Sequence, residues 1–155
     1  MYKHLTIVPA TVNDALQIAP YLRSADKAEL EAVTGQGEVL PSLLHGIGCG
    51  KAWVIKEDKP IVLFGVAPLT RTTGIPWMVA TDELITNKRF ILRYSLAYVN
   101  EMLKLYPDGL LNYIDARNTV HIAYIKRLGF VIDGLTDYYG LQKLPFYRFS
   151  LNLKG

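Results

Sequence analysis

Apolar and polar residues alternate at period two near the end of the chain. Tyr147, Phe149, Leu151 and Leu153 are separated by Arg148, Ser150 and Asn152. Successive side chains of a strand point to opposite faces, so this run predicts a strand with one buried side. Shorter apolar runs predict strands over residues 4–8, 51–56, 61–69, 74–80, 110–114 and from Phe130. The turn Glu57-Asp58-Lys59-Pro60 joins two of them as a hairpin. A 3–4 spacing takes over at residues 88–106, where Ile91, Tyr94, Tyr98, Met102 and Leu105 form one row. Leu92, Leu96, Val99, Leu103 and Tyr106 form a second. So wide an apolar face predicts a largely buried helix lying on a sheet.

Helix signals precede the first hairpin. Thr11 to Asp14 opens a helix carrying Ala15, Leu16, Ile18, Ala19 and Leu22, which Pro20 limits or bends. Ser24 and Asp26 offer caps for a second helix, with Glu29 three residues after Asp26 as in a capping box, and Gly35 and Gly37 end it. Residues 39–46 add one or two turns. Residues 81–87 read as polar and irregular, and 133–143 as loop. In residues 115–130 a strand end is followed by Asn118 at an N-cap position and by helical residues 120–128. Lys126 and Arg127 occupy the last turn and Gly129 is the stop. The order is strand, two helices, three strands, helix, strand, helix, two strands. It predicts a mixed sheet with helices on both faces.

At 155 residues the chain fits one domain, 1–155, large enough to bury a core without staples. Seventeen basic and fourteen acidic residues leave a formal charge of +3, too mild to argue for a nucleic-acid or membrane partner. Cys49 is the only cysteine, so an internal disulfide and a cysteine-rich metal site are excluded, and no metal is expected. It reads as a packing residue or a bystander. The start of the chain lacks a signal peptide's apolar core, and no apolar run reaches the ~20 residues of a membrane span.

Asn118, Leu128, Gly129 and Phe130 fall at the spacing of the last block of the GNAT superfamily of N-acetyltransferases, which the stretch resembles. His121 stands where that block has a small alanine, and Ile125 where it often has tyrosine. The order of elements matches over essentially the whole chain. The fold expected is therefore α/β, a GNAT-like (acyl-CoA N-acyltransferase) three-layer α/β/α arrangement with a central mixed sheet. Within it the 77–80 and 110–114 runs should be parallel neighbours, with a splayed gap between them. The chain is also similar to a group of short tailed-phage proteins, some called acetyltransferase-like and others internal virion or morphogenesis proteins. The shared features are Pro76-Trp77, Thr81-Asp82, residues 112–118, the segment 22–30 and the aromatic run 146–149.

The resemblance implies acetyl-CoA as cofactor, an amine as acceptor and direct attack of the amine on the thioester. It also implies a setting in the host cytoplasm or in the virion, with phage or host proteins as partners, and it is compatible with a homodimer. The rival is a GNAT-fold phage protein without catalysis. In the family, the strand before the cofactor helix supplies backbone donors; here that role falls to Met78, Val79 and Ala80. The family's glycine-containing cofactor loop corresponds to residues 86–90, which hold no glycine. Asn87, Lys88 and Arg89 at the helix start, together with Asn118, are the remaining cofactor-binding candidates, through backbone N–H groups and charge.

Asp82 and Glu83, at the end of that strand, are candidates for the base or for an amine-binding carboxylate, or else ordinary loop carboxylates at a helix start. Asp115 ends the next strand and has Arg117 as a potential ion-pair partner. Ile125 has no proton to give a leaving thiolate. Tyr124, about 100° away around the helix, is not a simple substitute. His121, one turn before Ile125, is the candidate donor, its bland role being that of a packed histidine.

Overall fold

The computed structural model describes residues 4–154. One seven-stranded sheet runs through it in the order β1-β2-β3-β4-β5-β7-β6. Its strands are β1 (Thr6–Pro9), β2 (Lys51–Lys56), β3 (Pro60–Pro68), β4 (Gly74–Ala80), β5 (Leu110–Asp115), β6 (Val131–Tyr139) and β7 (Leu144–Leu151). All neighbours are antiparallel except β4 and β5, which are parallel. The helices are α1 (Val12–Ile18), α2 (Ser24–Thr34), α3 (Leu40–Cys49), α4 (Glu83–Thr86), α5 (Lys88–Leu105) and α6 (Thr119–Arg127). The α4–α5 stretch is the crossover that parallel pairing of β4 and β5 demands.

Local chemistry sets several of these boundaries. Thr11 caps α1 in a reciprocal box. The Thr11 hydroxyl accepts from the Asp14 N–H, and the Asp14 carboxylate accepts from the Thr11 N–H at 2.8 Å. Pro20 follows α1 in a 3₁₀ turn, Ala19–Tyr21. At the end of α6, Gly129 adopts φ +96°. Its N–H donates to the Lys126 carbonyl and that of Phe130 to the Ile125 carbonyl, a Schellman arrangement that turns the chain into β6.

Two apolar layers sandwich the sheet. Ala15, Ile18, Val39 and Leu43 from α1, α3 and the turn before α3 pack on Val54, Leu63 and Val79. On the opposite face, Ile91, Val99 and Met102 of α5 and Ile125 of α6 pack on Ile55, Phe64, Val66 and Ile114. Only one stripe of α5 is buried, and Tyr94, Leu96 and Leu105 face outward, so the helix is less enclosed than its apolar width predicts. Among the described residues no helix is long and apolar enough to cross a membrane.

The structure corrects five local expectations. Residues 40–46 belong to a full helix, α3, that continues through Gly46 and Gly48 to Cys49. Residues 133–143 are mostly strand β6, not loop, and residues 81–87 contain the helical turn α4. Neither Ser24 nor Asp26 caps α2, which starts at Ser24 after Arg23 with no side-chain cap. Asn118 stands at the start of α6 but makes no side-chain cap; its amide is spent elsewhere.

Candidate functional site

Parallel pairing of β4 and β5 is limited to Gly74 opposite Leu110. The cause lies in the sequence. The Gly74 N–H donates to the Gly109 carbonyl on the β5 side, so positions 76, 78 and 80 face β5 by alternation. Position 76 is proline and has no N–H to continue the ladder. Beyond it the strands part, and by Ala80 and Asp115 they are no longer paired.

The edges of this gap are met largely by the protein's own side chains. Near the apex, the Asn112 amide donates to the Pro76 carbonyl at 2.7 Å, while its oxygen accepts from the Tyr113 N–H at 2.7 Å. At the mouth, α2 turns two carboxylates inward. Asp26 accepts from the Ala80 N–H at 2.9 Å, from the Asn118 amide at 2.8 Å and from the Arg23 guanidinium at 3.2 Å. Glu29 accepts from the Asp115 N–H at 2.9 Å and from the Asn118 amide at 3.4 Å. The Ala80 carbonyl accepts from the Arg23 N–H at 2.8 Å, and Leu22 bridges Thr81 as a fragment of antiparallel strand. Between apex and mouth, Met78 directs its N–H and C=O into the gap by the same alternation.

A cavity of about 810 Å³ occupies the gap. It passes through the sheet. Trp77, packed in the α1/α3 layer, and Met78, packed in the α5/α6 layer, both line it. The walls are mainly apolar, with Glu29, His121, Tyr124, Ser95 and Asn112 as polar inserts. Burial pushes the Glu29 carboxyl up to about 8, with the charge of Asp26 adding to the rise against the Asp115 and Asn118 hydrogen bonds. A carboxyl tuned there exchanges its proton near neutrality, as a general base should. Burial holds His121 below the usual imidazole range, with Arg23 lowering it further against the pull of Asp26. It is 6% exposed and its Nδ1 has no partner. The Asn118 Oδ1 is likewise buried and unpartnered. Burial pushes Tyr124 up to about 12, so it stays a phenol. Its hydroxyl is engaged with Ser95, whose own hydroxyl donates to the Ile91 carbonyl, pinning Tyr124 to α5.

The sequence-derived candidates separate into four places. His121, Met78 and Val79 line the cavity. Ala80 and Asn118 lie at its mouth, bonded to Asp26. Asp82 and Glu83 are exposed beside Gln17, Tyr21 and Lys59 around a separate hollow of about 270 Å³, and do not line the large cavity. Asn87 is bonded back to the Glu83 carbonyl, while Lys88 and Arg89 are exposed on the first turn of α5. Asp115 pairs with Arg117 at 2.6 Å. Glu29 was hidden from the sequence by its capping-box spacing. The signal that points to it is the (i, i+3) placement of Asp26 and Glu29 on one helix face beside the apolar Leu30 and Val33.

No family model and no curated protein matches the chain. Solved structures do. Ard1 from Thermoplasma volcanium superposes with TM-score 0.70 at 16% identity, over 97% of this chain and 99% of that one. The ribosomal-protein-S18-alanine N-acetyltransferase from Escherichia coli gives TM-score 0.68 at 15% identity, over 98% and 97%. YncA from Salmonella typhimurium, solved with its cofactor acetyl-CoA, gives 0.74 at 14% identity, over 97% and 94%. The chain therefore has the GNAT acetyltransferase fold.

Proposed function

We propose that the protein is an acetyl-CoA-dependent N-acetyltransferase in which an amine attacks the thioester directly, with Glu29 taking the amine's proton. The observation that carries this reading is the cavity through the β4/β5 gap, with a carboxyl tuned to about 8 on its wall. The residues present fit the thioester arm of the cofactor. The walls are apolar, Met78 offers one strand edge, and the buried Asn118 Oδ1 and His121 Nδ1 lack partners. The first turn of α5, with Lys88 and Arg89, would serve the diphosphate through N–H groups and charge rather than through a glycine cradle.

Acetyl-CoA would supply an activated acyl carbonyl. Glu29, as carboxylate, accepts a proton from the attacking nitrogen. The Asp115 N–H and the Asn118 amide fix the orientation of its Oε1. His121 stays neutral and holds an imidazole at the wall, the one titratable ring of α6 free of a partner at Nδ1. Sequence resemblance to phage proteins supports a site of action in the host cytoplasm.

A second reading, a GNAT-fold phage protein without catalysis, rests on one observation. Asp26 and Arg23 already occupy the Ala80 N–H and C=O on the strand edge where a cofactor would pair. Calorimetry with acetyl-CoA decides between the two. The enzyme reading expects saturable binding in the range of tens of micromolar, about 6–7 kcal/mol, because the glycine loop is missing. No heat at millimolar cofactor would establish the second reading.

A further inference from the structure

Resting on the reading of this cavity as an acyltransfer site, we infer that its acceptor is a small primary amine on an apolar, uncharged body, of the arylalkylamine or alkylamine class. The lobe on the α3 side of the sheet carries the inference. Its apolar wall is Leu30 and Val33 of α2, Pro41 and Leu43 of α3, and Ile75 and Trp77 of β4, with Thr34, Gln36, Ser42 and His45 as uncharged or weakly basic polar inserts. Trp77 comes close to α3 because position 46 is glycine: a Cβ there would lie 2.8 Å from the indole. Its ring forms an aromatic wall of the lobe, with a buried Nε1 that has no partner.

Charge selects further. Among the described residues lining the whole cavity there is no lysine and no arginine, and Glu29 is the only carboxylate. An amino acid would bring a carboxylate with no lysine or arginine to meet it. A polyamine would bring a second ammonium into a lobe with no second carboxylate, at the cost of an unpaired charge. One amine, placed at Glu29, with an apolar remainder lying on Trp77, leaves every charge paired. Ser42, a partly buried polar residue on the α3 wall, gives a place to fill the lobe without emptying the core.

The experiment measures thiol release from acetyl-CoA by the full chain with phenethylamine, spermidine, lysine and a hydrophilic peptide as acceptors. Calorimetry of each amine without cofactor runs alongside. Phenethylamine should be preferred by at least about tenfold in kcat/KM. Ser42→Phe should raise its KM by about tenfold or more, with acetyl-CoA affinity and thermal midpoint held. Preference for spermidine, lysine or the peptide overturns the inference. So does an unchanged KM in a folded Ser42→Phe protein, or no phenethylamine binding at millimolar concentration. Phenethylamine that binds where acetyl-CoA does not upholds the apolar amine site and overturns the transferase reading, so the two failures are distinguishable.

Discussion

The Asn112 side chain spans the opening between β4 and β5, donating to the Pro76 carbonyl while accepting from the N–H of Tyr113. A side chain thus replaces the ladder that proline interrupts. It holds the apex of the gap at a fixed width while leaving the remainder open. Asn112→Ala leaves one carbonyl and one N–H without partners and should cost about 1–3 kcal/mol. Asn112→Asp keeps the acceptor for Tyr113 but loses the donor to Pro76, so it should be more damaging at neutral pH than in acid, where the protonated acid donates. Urea unfolding of both variants at two pH values checks this. Two midpoints that move together would show that the Pro76 bond contributes nothing.

Asn118 provides a second test, because its two roles predict different rescues. A helix cap survives replacement by Asp or Ser. In the structure Asn118 instead donates to Asp26 and Glu29. Asn118→Ala removes a hydrogen bond to a buried carboxylate and should cost roughly 1.5–3 kcal/mol. Asn118→Asp should be worse than alanine, since it sets a third carboxylate against two others. An aspartate variant as stable as the parent in thermal unfolding would return Asn118 to capping.

What the sequence made legible was whatever is decided within a few residues. The Thr11 box, the Gly129 stop, the long amphipathic α5 and the strands β2 to β5 all follow from local pattern, and so does the parallel β4/β5 pair through its crossover. Strand β6 was not legible because it lies at the sheet edge with little buried surface: Val131, Leu135 and Tyr138 are 60, 57 and 78% exposed. It therefore lacks the clean alternation of β7. Helix α3 was cut short because Gly46 and Gly48 look like stops, whereas Gly46 is needed for the close approach of Trp77. The acidic pair of α2 was misassigned for a related reason. Its partners Ala80, Asp115 and Asn118 lie 54, 86 and 92 positions away from Asp26 or Glu29, beyond any local rule. His121 was visible as an oddity against the GNAT block. Glu29, its neighbour on the cavity wall, was not.

Stability should depend on pH through Glu29. Its carboxyl rises from 4.5 to about 8 on folding, so between those values the folded chain binds more protons than the unfolded one. Stability is then fully present below pH 4.5 and falls as pH rises through 8. Glu29→Gln keeps the acceptor for the Asp115 N–H and removes the titration. It should match the parent near pH 5 and exceed it above pH 8 by roughly 2–4 kcal/mol. Chemical denaturation across that range is the measurement, and parallel curves for the two proteins would contradict the raised carboxyl.

His121 should act in the opposite direction. Burial lowers its pKa below the ordinary 6.5, so the unfolded chain takes up its proton first and acid erodes the fold below that pH. Its ring carbon and proton resonances should shift only in acid, below the ordinary imidazole range. An imidazole of α6 that titrates in the ordinary range would show the cavity to be wet at that wall.

Catalysis gives the last test, because base and substrate can both make a rate rise with pH. If Glu29 takes the amine's proton, it works only as carboxylate, so kcat/KM should climb with pH and bend near 8. The amine must also be unprotonated to attack, which adds a second limb at its own pKa. The two separate when acceptors of different basicity are compared: the amine limb follows the acceptor, and the Glu29 limb does not. Glu29→Gln should lose the fixed limb and about 10²–10⁴ in rate, while acetyl-CoA binding by calorimetry changes little. Asp82→Asn and Glu83→Gln, both outside the cavity, should leave the fixed limb in place. A bend that follows the acceptor alone, unchanged in Glu29→Gln, would mean that water removes the proton and that the Glu29 carboxyl only braces Asp115 and Asn118.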